Sequence, residues 1–293
     1  MMPRLAVAIV LLVAVGPAGL AATTAPASVP SSGSATVPAD RPPSRPGSEP
    51  ASAPAAKPQQ ATTLRILTYN IHHGAGNDEV LDLERIARLI RSLDPDLVAL
   101  QEIDNRTERT GVVNQAAELG RMTGMGSAFG SFMDYQGGQY GMAVLSDLPF
   151  VNPTNHQLPE GPEPRSSLAI RVQLPDGAGE LIFVGIHFYR TAEERMAQAR
   201  RLLDLLEPEE VPVILAGDFN STPDAEVMSF IGETFATPDK GADHFTFRSD
   251  RPEREIDFIV YRPAHRFTVI ESRVIDEPVA SDHRPVLLVV EFR

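Results

Sequence analysis

Ser281-Asp282-His283-Arg284-Pro285 leads directly into the apolar run Val286 to Phe292. A continuous apolar run of this length predicts a buried β-strand, with the acid and the imidazole at its start. Neighbouring side chains on an extended chain point in opposite directions, so Asp282 can bind a metal ion while His283 acts as a base. The alternative is a loop histidine at the start of a strand, with no chemical role.

Three upstream fragments also place polar side chains beside apolar, strand-like runs. They are Thr68-Tyr69-Asn70 at the end of Leu64 to Asn70, Leu100-Gln101-Glu102 after Leu97 to Leu100, and Gly217-Asp218-Phe219-Asn220 after Val211 to Ala216. The two-residue period of a strand predicts that Asp218 and Asn220 face the same way, with Phe219 pointing back into the core. An Asx turn after Gly217 is the alternative for that pair. Four such fragments in one chain favour a metal-dependent phosphodiesterase, whose metal ligands and base need this kind of placement.

Three further polar residues end or interrupt apolar runs. Asp257 lies inside the run Ile256 to Tyr261, where a carboxylate is costly unless it is paired, and an imidazolium is its natural partner. Glu102 and His187 each end a strand-like run, and an ordinary solvated or satisfied strand end is the alternative for both. A carboxylate in the position of Glu102 suits a hard, oxygen-liking cation such as Mg²⁺.

Two adjacent histidines, His72 and His73, follow the first predicted strand. A pair of imidazoles can indicate zinc, but the sequence has no cysteine and no His-x-x-x-His helix, so the zinc signal is weak. The nearby glycines of Gly74-x-Gly76, and those of Gly137-Gly138, are predicted to lie in loops. No helix begins on them in the way that a phosphate-binding loop requires.

The hydrophobic periodicity predicts an order of elements that mixes hairpins with crossovers. Helices are predicted at Leu81–Leu93, Asn114–Thr123, Ala192–Leu206 and Pro223–Ile231. Besides the runs named above, strands are predicted at Gly141–Leu145, Ser167–Leu174, Leu181–His187, Glu255–Tyr261 and Phe267–Val274. The turn signal Asp176-Gly177 predicts a hairpin. Because strands outnumber helices, the predicted fold class is α/β, or α+β, with two packed, mostly antiparallel or mixed β-sheets flanked by helices.

The first 63 residues differ in composition from the rest of the chain. Residues 1–21 carry a single charge, an apolar run from Leu5 to Val15 and small residues around Ala21, which is the layout of a secretory signal peptide. The run is short for a membrane span, and an uncleaved N-terminal anchor is the alternative. Residues 22–63, rich in Ala, Pro, Ser and Thr, are predicted to be a disordered linker. Residues 64–293 are predicted to be the single catalytic domain of an exported, periplasmic or secreted protein without a transmembrane domain after signal cleavage.

The charge balance limits the partners of this domain. From Ala61 onward the chain has 22 basic and 37 acidic side chains, a net charge of −15. Such a field repels a polyanion unless basic residues cluster locally, so nucleic acid is a disfavoured partner. Lys57 and Lys240 are the two lysines, and nearly every cation is therefore an arginine, whose planar guanidinium fits phosphate well.

The ordered fragments resemble the endonuclease/exonuclease/phosphatase superfamily, which includes DNase I-like nucleases and neutral sphingomyelinases. The resemblance covers roughly Leu64 to Arg293. It rests on Leu67-Thr68-Tyr69-Asn70, Leu100-Gln101-Glu102, Tyr140 to Ser146, His187, Gly217-Asp218-Phe219-Asn220, Ile256-Asp257-Phe258 and Ser281-Asp282-His283. It implies a DNase I-like four-layer sandwich. The matched motifs are specific for the superfamily and do not define a substrate.

The resemblance also implies roles for a metal-binding group and a proton-transfer group. Asn70, Glu102 and Asp282 would hold Mg²⁺, with Mn²⁺ as a substitute. His283 would be the general base, oriented by Asp257.

A further group of positions would act on the substrate. Asp218 and Asn220 would position the attacking water and the phosphate, and His187 would stabilise the transition state or assist the leaving group. Tyr140 resembles a phosphate-contacting tyrosine found in part of the superfamily, and Arg165 would also contact phosphate.

The chain departs from its relatives in a few places. Many relatives have an acid where this chain has His72, and the sequence offers no obvious carboxylate partner for His187. The segment from Glu102 to Gln115 resembles a short bacterial branch that is often grouped with lipid- or GPI-linked phosphodiesterases. We therefore expect a monomeric, exported, Mg²⁺-dependent phosphodiesterase that acts on a lipid headgroup or another small phosphodiester. The alternatives are a secreted DNase I-like nuclease and a catalytically inactive binding module on the same fold.

Overall fold

The computed structural model describes residues 61–159 and 161–293. The predicted signal peptide at residues 1–21, and the predicted linker up to residue 60, lie outside the described residues. The first strand, β1, covers Thr62–Asn70 and so begins two residues before the predicted domain boundary at Leu64. The reason is pairing at the other end of the chain, because Thr62 is aligned with Phe292 of the last strand.

Four α-helices flank the sheets: α1 (Leu83–Leu93), α2 (Gln115–Thr123), α3 (Ala192–Leu206) and α4 (Glu226–Gly232). Helix α1 begins after Asp82, whose side chain accepts a hydrogen bond from the Arg85 backbone N–H at 2.9 Å. It ends at Asp94, which adopts the left-handed conformation just before Pro95. The predicted apolar face of α1 is confirmed, with Ile86 and Ile90 fully buried.

The other strands are β2 (Leu97–Asn105), β3 (Gly126–Tyr135), β4 (Gly138–Ser146), β5 (Phe150–Gln157), β6 (Ser166–Gln173), β7 (Glu180–His187), β8 (Val213–Asp218), β9 (Asp257–Arg262), β10 (Phe267–Val274) and β11 (Val286–Phe292). They form a six-stranded sheet in the order β10-β11-β1-β2-β4-β3 and a five-stranded sheet in the order β5-β6-β7-β8-β9. Neighbours are antiparallel except for β1–β2 and β7–β8. The predicted hairpin at Asp176-Gly177 joins β6 to β7.

The buried side chains separate into three layers, which produce a four-layer helix–sheet–sheet–helix sandwich. One layer fills the space between the sheets and includes Leu97, Phe183 and Ile214. A second lies between the six-stranded sheet and α1–α2, and a third lies between the five-stranded sheet and α3–α4. The predicted fold class, two packed mixed sheets flanked by helices, is confirmed.

Two strands were not predicted, and β2 extends five residues beyond its predicted end. β3 contains Gly126 and Gly130, and β5 contains Asn152-Pro153, so neither has a clear apolar alternation. β2 does not end at Leu100 but continues to Asn105 through a β-bulge, where the register shifts between Gln101 and Ile103. No helix among the residues covered by the structure is long and apolar enough to cross a membrane.

We expect that removal of residues 1–61 leaves a cooperatively folding domain. All three buried layers are built from residues between Leu64 and Phe292, so the shortened chain keeps every apolar contact of the described core. Circular dichroism melting of the shortened and full-length chains tests this expectation. Loss of a cooperative transition in the shortened chain would show that the N-terminal segment packs on the domain.

Candidate active site

Three adjacent strands of the five-stranded sheet place polar side chains in one row. His187 ends β7, Asp218 ends the parallel neighbour β8, and Asp257 begins the antiparallel neighbour β9. His187 is aligned with Asp218, and Asp218 is aligned with Asp257. Directly aligned residues on neighbouring strands project from the same face of a sheet, so the three side chains come together although 70 residues separate the first from the last.

The six-stranded sheet supplies the opposite wall from the ends of β1 and β2. Asn70 ends β1, and Glu102 lies at the β-bulge of β2 with a positive φ of 60°. The Asn70 Nδ2 donates to Glu102 Oε1 at 3.1 Å and to Asp218 Oδ2 at 3.3 Å. Asn70 therefore joins the two sheets, and the bulge turns the Glu102 carboxylate toward it.

The loop before β11 brings in the Asp282-His283 fragment. Ser281 Oγ donates to the Asn70 backbone carbonyl at 2.7 Å, which holds this loop against the end of β1. The His283 Nδ1 lies 2.9 Å from Asp257 Oδ2, and its Nε2 lies 3.8 Å from Asp218 Oδ2. The predicted pairing of Asp257 with an imidazole is thus present, and all of these atoms are buried.

The surroundings give the two site histidines opposite protonation states. Burial by itself disfavours the charged imidazole of His283, but the Asp257 carboxylate, helped by Asp218, overcomes it and raises the pKa of His283 to about 10. Burial lowers the pKa of His187 well below its ordinary value, and the positive charges of Arg165 and His283 act in the same direction. Burial, together with the charge of Asp257, raises the pKa of the Asp218 carboxyl to about 7. Such separation of neighbouring pKa values is typical of catalytic sites.

These groups surround an open cleft of about 280 Å³. Its lining contains eight of the ten site residues predicted from the sequence: Glu102, Tyr140, Arg165, His187, Asp218, Asn220, Asp282 and His283. The other two, Asn70 and Asp257, lie beneath it and hydrogen-bond to lining residues. Sequence reasoning missed Glu163, Tyr189, Arg190 and Phe247, which also line the cleft. Of these, Tyr189-Arg190 could have been found, because they begin two residues after the strand that ends at His187.

The structure supplies a partner for His187 that the sequence did not reveal. Its Nε2 lies 3.4 Å from Asp218 Oδ2, whereas its buried Nδ1 has no hydrogen-bond partner in the described part of the chain. The carboxylate neighbour of His187, for which the sequence offered no obvious candidate, is therefore Asp218. The two residues are neighbours only through the parallel pairing of β7 with β8, which a pattern along the chain does not show.

Asp218 and Asn220 satisfy both interpretations of their fragment. The Asn220 backbone N–H donates to Asp218 Oδ1 at 2.7 Å, which is an Asx turn. Both side chains nevertheless line the cleft, while Phe219 is fully buried in the layer beneath α4, as predicted. The Asn220 Nδ2 is held by the Phe188 carbonyl at 2.9 Å, which fixes the orientation of the amide.

One side of the cleft has groups that suit a phosphate. The Arg165 guanidinium is almost fully buried between the Phe132 and Tyr189 rings, with its Nη1 bonded to Glu163. Its Nε is buried without a hydrogen-bond partner among the described residues, so a donor remains for a ligand. Tyr140 is buried nearby, and burial together with the charge of Glu102 raises the pKa of its phenol well above the ordinary value. Its hydroxyl therefore stays protonated at neutral pH.

The carboxylates of the cleft fit a hard divalent cation. Glu102 and Asp282 both line it, and oxygen donors without thiolates favour Mg²⁺ or Mn²⁺. Asn70 faces Glu102 with its amide nitrogen, because its Oδ1 accepts a hydrogen bond from the His72 backbone N–H at 3.1 Å. The contact of Asn70 Nδ2 with Glu102 orients the Glu102 carboxylate.

A glycine directly before Asp218 is needed for the row of side chains on β7, β8 and β9. A Cβ atom at Gly217 would lie 2.0 Å from the backbone oxygen of Ile186. We expect Gly217→Ala to cost about 1–3 kcal/mol of unfolding free energy, as overpacking does, and to displace Asp218. Gly232→Ala is the matched control, because nothing lies within 4 Å of its added Cβ. Urea unfolding of both variants provides the measurement, and equal midpoints would contradict the expectation.

The sandwich, with an Asp–His pair and several carboxylates at one end, defines a protein of the DNase I-like class. The model of the Endonuclease/Exonuclease/phosphatase family matches residues 67–283, and the chain belongs to that family. Its members are hydrolases that act on phosphoester bonds and generally depend on a divalent metal. The family therefore agrees with the chemistry of the cleft.

Three individual proteins illustrate the similarity. Protein cwh43 of Schizosaccharomyces pombe is 27% identical over 218 residues, which are 70% of this chain and 21% of that protein. The endonuclease/exonuclease/phosphatase from Beutenbergia cavernae has a TM-score of 0.65 at 25% identity, covering 78% of this chain and 72% of that one. The mannosyl-6-phosphatase of Bacteroides thetaiotaomicron has a TM-score of 0.64 at 18% identity, covering 78% and 100%. This chain spans about a fifth of the length of cwh43.

Proposed function

We propose that the protein is an exported, Mg²⁺-dependent phosphodiesterase that hydrolyses a lipid headgroup or another small phosphodiester. The observation that supports it most is the buried Asp257–His283 pair, 2.9 Å apart, on the floor of a cleft lined by Glu102 and Asp282. Hydrolysis at a phosphorus atom needs a base that activates water and oxygen ligands that hold a hard metal ion, and the cleft contains both kinds of group.

In the proposed reaction, His283 and Asp257 carry out the proton transfer. His283 lines the cleft, and its Nε2, on the opposite side of the ring from the Asp257 contact, would take a proton from the attacking water. Asp257 on Nδ1 would fix the tautomer and stabilise the imidazolium that forms. The carboxylates of Asp218 and Asp282 now raise the pKa of His283. A cation held in the cleft would offset their charge and so favour the neutral imidazole that a base requires.

Other cleft residues would bind the phosphate and stabilise its developing charge. The free Arg165 Nε and the protonated Tyr140 hydroxyl are donors for non-bridging oxygens. His187 is neutral, so it would contribute an N–H group rather than a full charge. Asp218 and Asn220, fixed by the Asx turn, would orient the water and the phosphate.

Asn70, Glu102 and Asp282 would hold the Mg²⁺, with the Asn70 amide also orienting Glu102, and Mn²⁺ is the expected substitute. When bound, the ion would neutralise phosphate charge and act as a Lewis acid. Export, to the periplasm or outside the cell, rests on the signal-like composition of residues 1–21. A monomer is part of the same proposal.

A substrate panel with Mg²⁺ tests the reaction class. It contains bis-p-nitrophenyl phosphate, p-nitrophenyl phosphate, sphingomyelin, phosphatidylinositol, RNA and plasmid DNA. We expect hydrolysis of the small diester and of at least one lipid, with little action on DNA because the domain carries a net charge of −15. Efficient cleavage of DNA would favour the secreted nuclease, and preference for the monoester would favour a phosphatase. Inactivity on the whole panel would favour a binding module.

A further inference from the structure

The His72-His73 pair lies beside the cleft and has no part in the proposed reaction. In the folded chain, one ligand atom from each of His72, His73 and Glu102 lies within 4.8 Å of the others. We propose that these three side chains form a second cation site, which takes a borderline transition metal, Zn²⁺ in the first place. The site would share Glu102 with the Mg²⁺ site and would be separate from the Asp257–His283 pair.

The distances suit a metal ion after small side-chain movements. Zinc–nitrogen and zinc–oxygen bonds are about 2.0–2.2 Å long, so ligand atoms around one ion lie about 3–4 Å from one another. A spread of at most 4.8 Å therefore requires adjustments that a side-chain rotation supplies. Two histidines with one glutamate, and a fourth position left open, form a donor set that zinc uses in enzymes.

Each imidazole is prepared for the role of a ligand. The His72 Nδ1 lies 3.2 Å from the Ala75 carbonyl, so it carries the proton, and Nε2 keeps its lone pair. The His73 Nδ1 is buried and has no hydrogen-bond partner among the described residues. A buried, unpartnered ring nitrogen is costly, and a metal ion is a partner that would satisfy it. The rings meet edge to face, with centroids 4.5 Å apart, rather than stacking flat.

The backbone holds all three residues in an unfavourable conformation. His72 and His73 each have a φ of 46°, and Glu102 has a φ of 60°. Three residues with side chains therefore adopt the left-handed backbone conformation, which favours glycine. Separate contacts maintain this arrangement: Gln115 Nε2 donates to the His73 carbonyl at 2.7 Å, and Asn70 Nδ2 binds Glu102. Such conformations persist where the surrounding structure imposes them, and they cluster at ligand sites.

The local charge favours a cation, and the donor types favour zinc over magnesium. The Arg109 guanidinium, whose positive charge acts on His73, is bound by both oxygens of the buried Asp104, at 2.7 and 2.8 Å, which offsets its charge. Glu102 then leaves the three-residue group with a negative charge. Imidazole is a borderline donor that suits Zn²⁺ and its neighbours in the transition series, whereas Mg²⁺ prefers oxygen ligands and water.

Metal titration of the full-length chain, after chelator treatment, tests the site without measuring activity. Zn²⁺ is titrated by calorimetry, and Co²⁺ by its visible absorption. His72→Asn and His73→Asn each remove an imidazole but keep a residue that tolerates a positive φ. We expect each substitution to weaken Zn²⁺ binding by about 10–100-fold or more. Even the loss of a residue that hydrogen-bonds to a metal ligand has an effect of that size. His265→Asn is the matched control, because that exposed histidine follows the Arg262 end of β9, away from Asp257.

Two carboxylate variants separate the second site from the Mg²⁺ site. Glu102→Gln is expected to weaken both Zn²⁺ and Mg²⁺ binding, whereas Asp282→Asn is expected to weaken Mg²⁺ alone. Thermal melts confirm that each variant is folded. Unchanged Zn²⁺ affinity in both folded histidine variants would overturn the proposal. It would also be overturned if Asp282→Asn abolished Zn²⁺ binding and the histidine variants did not, because the ion would then occupy the other site.

Discussion

Replacement of His283 by alanine is expected to lower kcat by about 10²–10⁴-fold, the usual effect of removing a general base. His283 lines the cleft and contacts the buried Asp257 carboxylate through Nδ1, which leaves Nε2, on the opposite side of the ring, to receive a proton. The alanine variant leaves Asp257 buried without its partner, which itself lowers stability. His283→Gln is therefore a second variant, because it keeps a donor toward Asp257 but has no group that titrates as a base.

Asp257→Asn is expected to slow turnover as well, because a neutral amide no longer favours the imidazolium. If the pair works as one unit, the double variant should be little slower than His283→Ala alone. Steady-state rates of the single and double variants, read beside their thermal melts, decide this, with His265→Ala as the control for loss of a histidine. If folded His283→Ala and His283→Gln both stay within a few-fold of the unchanged chain, the base lies elsewhere, and His187 is the next candidate.

The elements that could be predicted from the sequence are those with a strong local pattern. β10, β11 and α3 match their predicted bounds, because continuous apolar runs and a clear helical face need no information from the rest of the chain. β3 and β5 lack such a pattern and become strands through pairing with β4 and β6. Tertiary pairing thus determines them more than local propensity does.

The candidate site shows the same division between local and long-range information. The sequence identified His187, Asp218 and Asp257 as strand-end or strand-interior polar residues, but their alignment in one row follows from the register of three strands. Side-chain packing across the sheet sets such a register, so the sequence of a single strand does not predict it. For that reason the Asp218 partner of His187 was missed.

The His72-His73 pair is the clearest case in which a local pattern was insufficient. Along the chain it lacks the helical spacing and the thiolates that usually accompany zinc, so its signal was weak. The third ligand of the proposed site, Glu102, is 29 residues after His73 and lies near the pair at the β-bulge of β2. A β-bulge leaves little trace in hydrophobic periodicity, which is why the strand was predicted to end before it.

Removal of divalent cations is expected to abolish hydrolysis, and addition of Mg²⁺ or Mn²⁺ is expected to restore it. A metal ion that neutralises phosphate charge contributes several kcal/mol to transition-state stabilisation, which corresponds to about a thousandfold or more in rate. Four carboxylates line the cleft, namely Glu102, Glu163, Asp218 and Asp282, and a bound divalent cation would offset their repulsion of the substrate phosphate. Dialysis against EDTA, followed by readdition of each metal, is the measurement.

Substitution of the proposed metal ligands should change the Mg²⁺ requirement. Asp282→Asn and Glu102→Gln are expected to raise the Mg²⁺ concentration needed for half-maximal rate, because each removes one negative oxygen donor from the cleft. Asp204→Asn, on the exposed side of α3, removes an equal charge far from the cleft layer and should leave that concentration unchanged. The three variants separate direct ligation from a general loss of negative charge. Full activity in chelator, or equal Mg²⁺ requirements in all three variants, would mean that Glu102 and Asp282 hold the substrate or the loop rather than a metal ion.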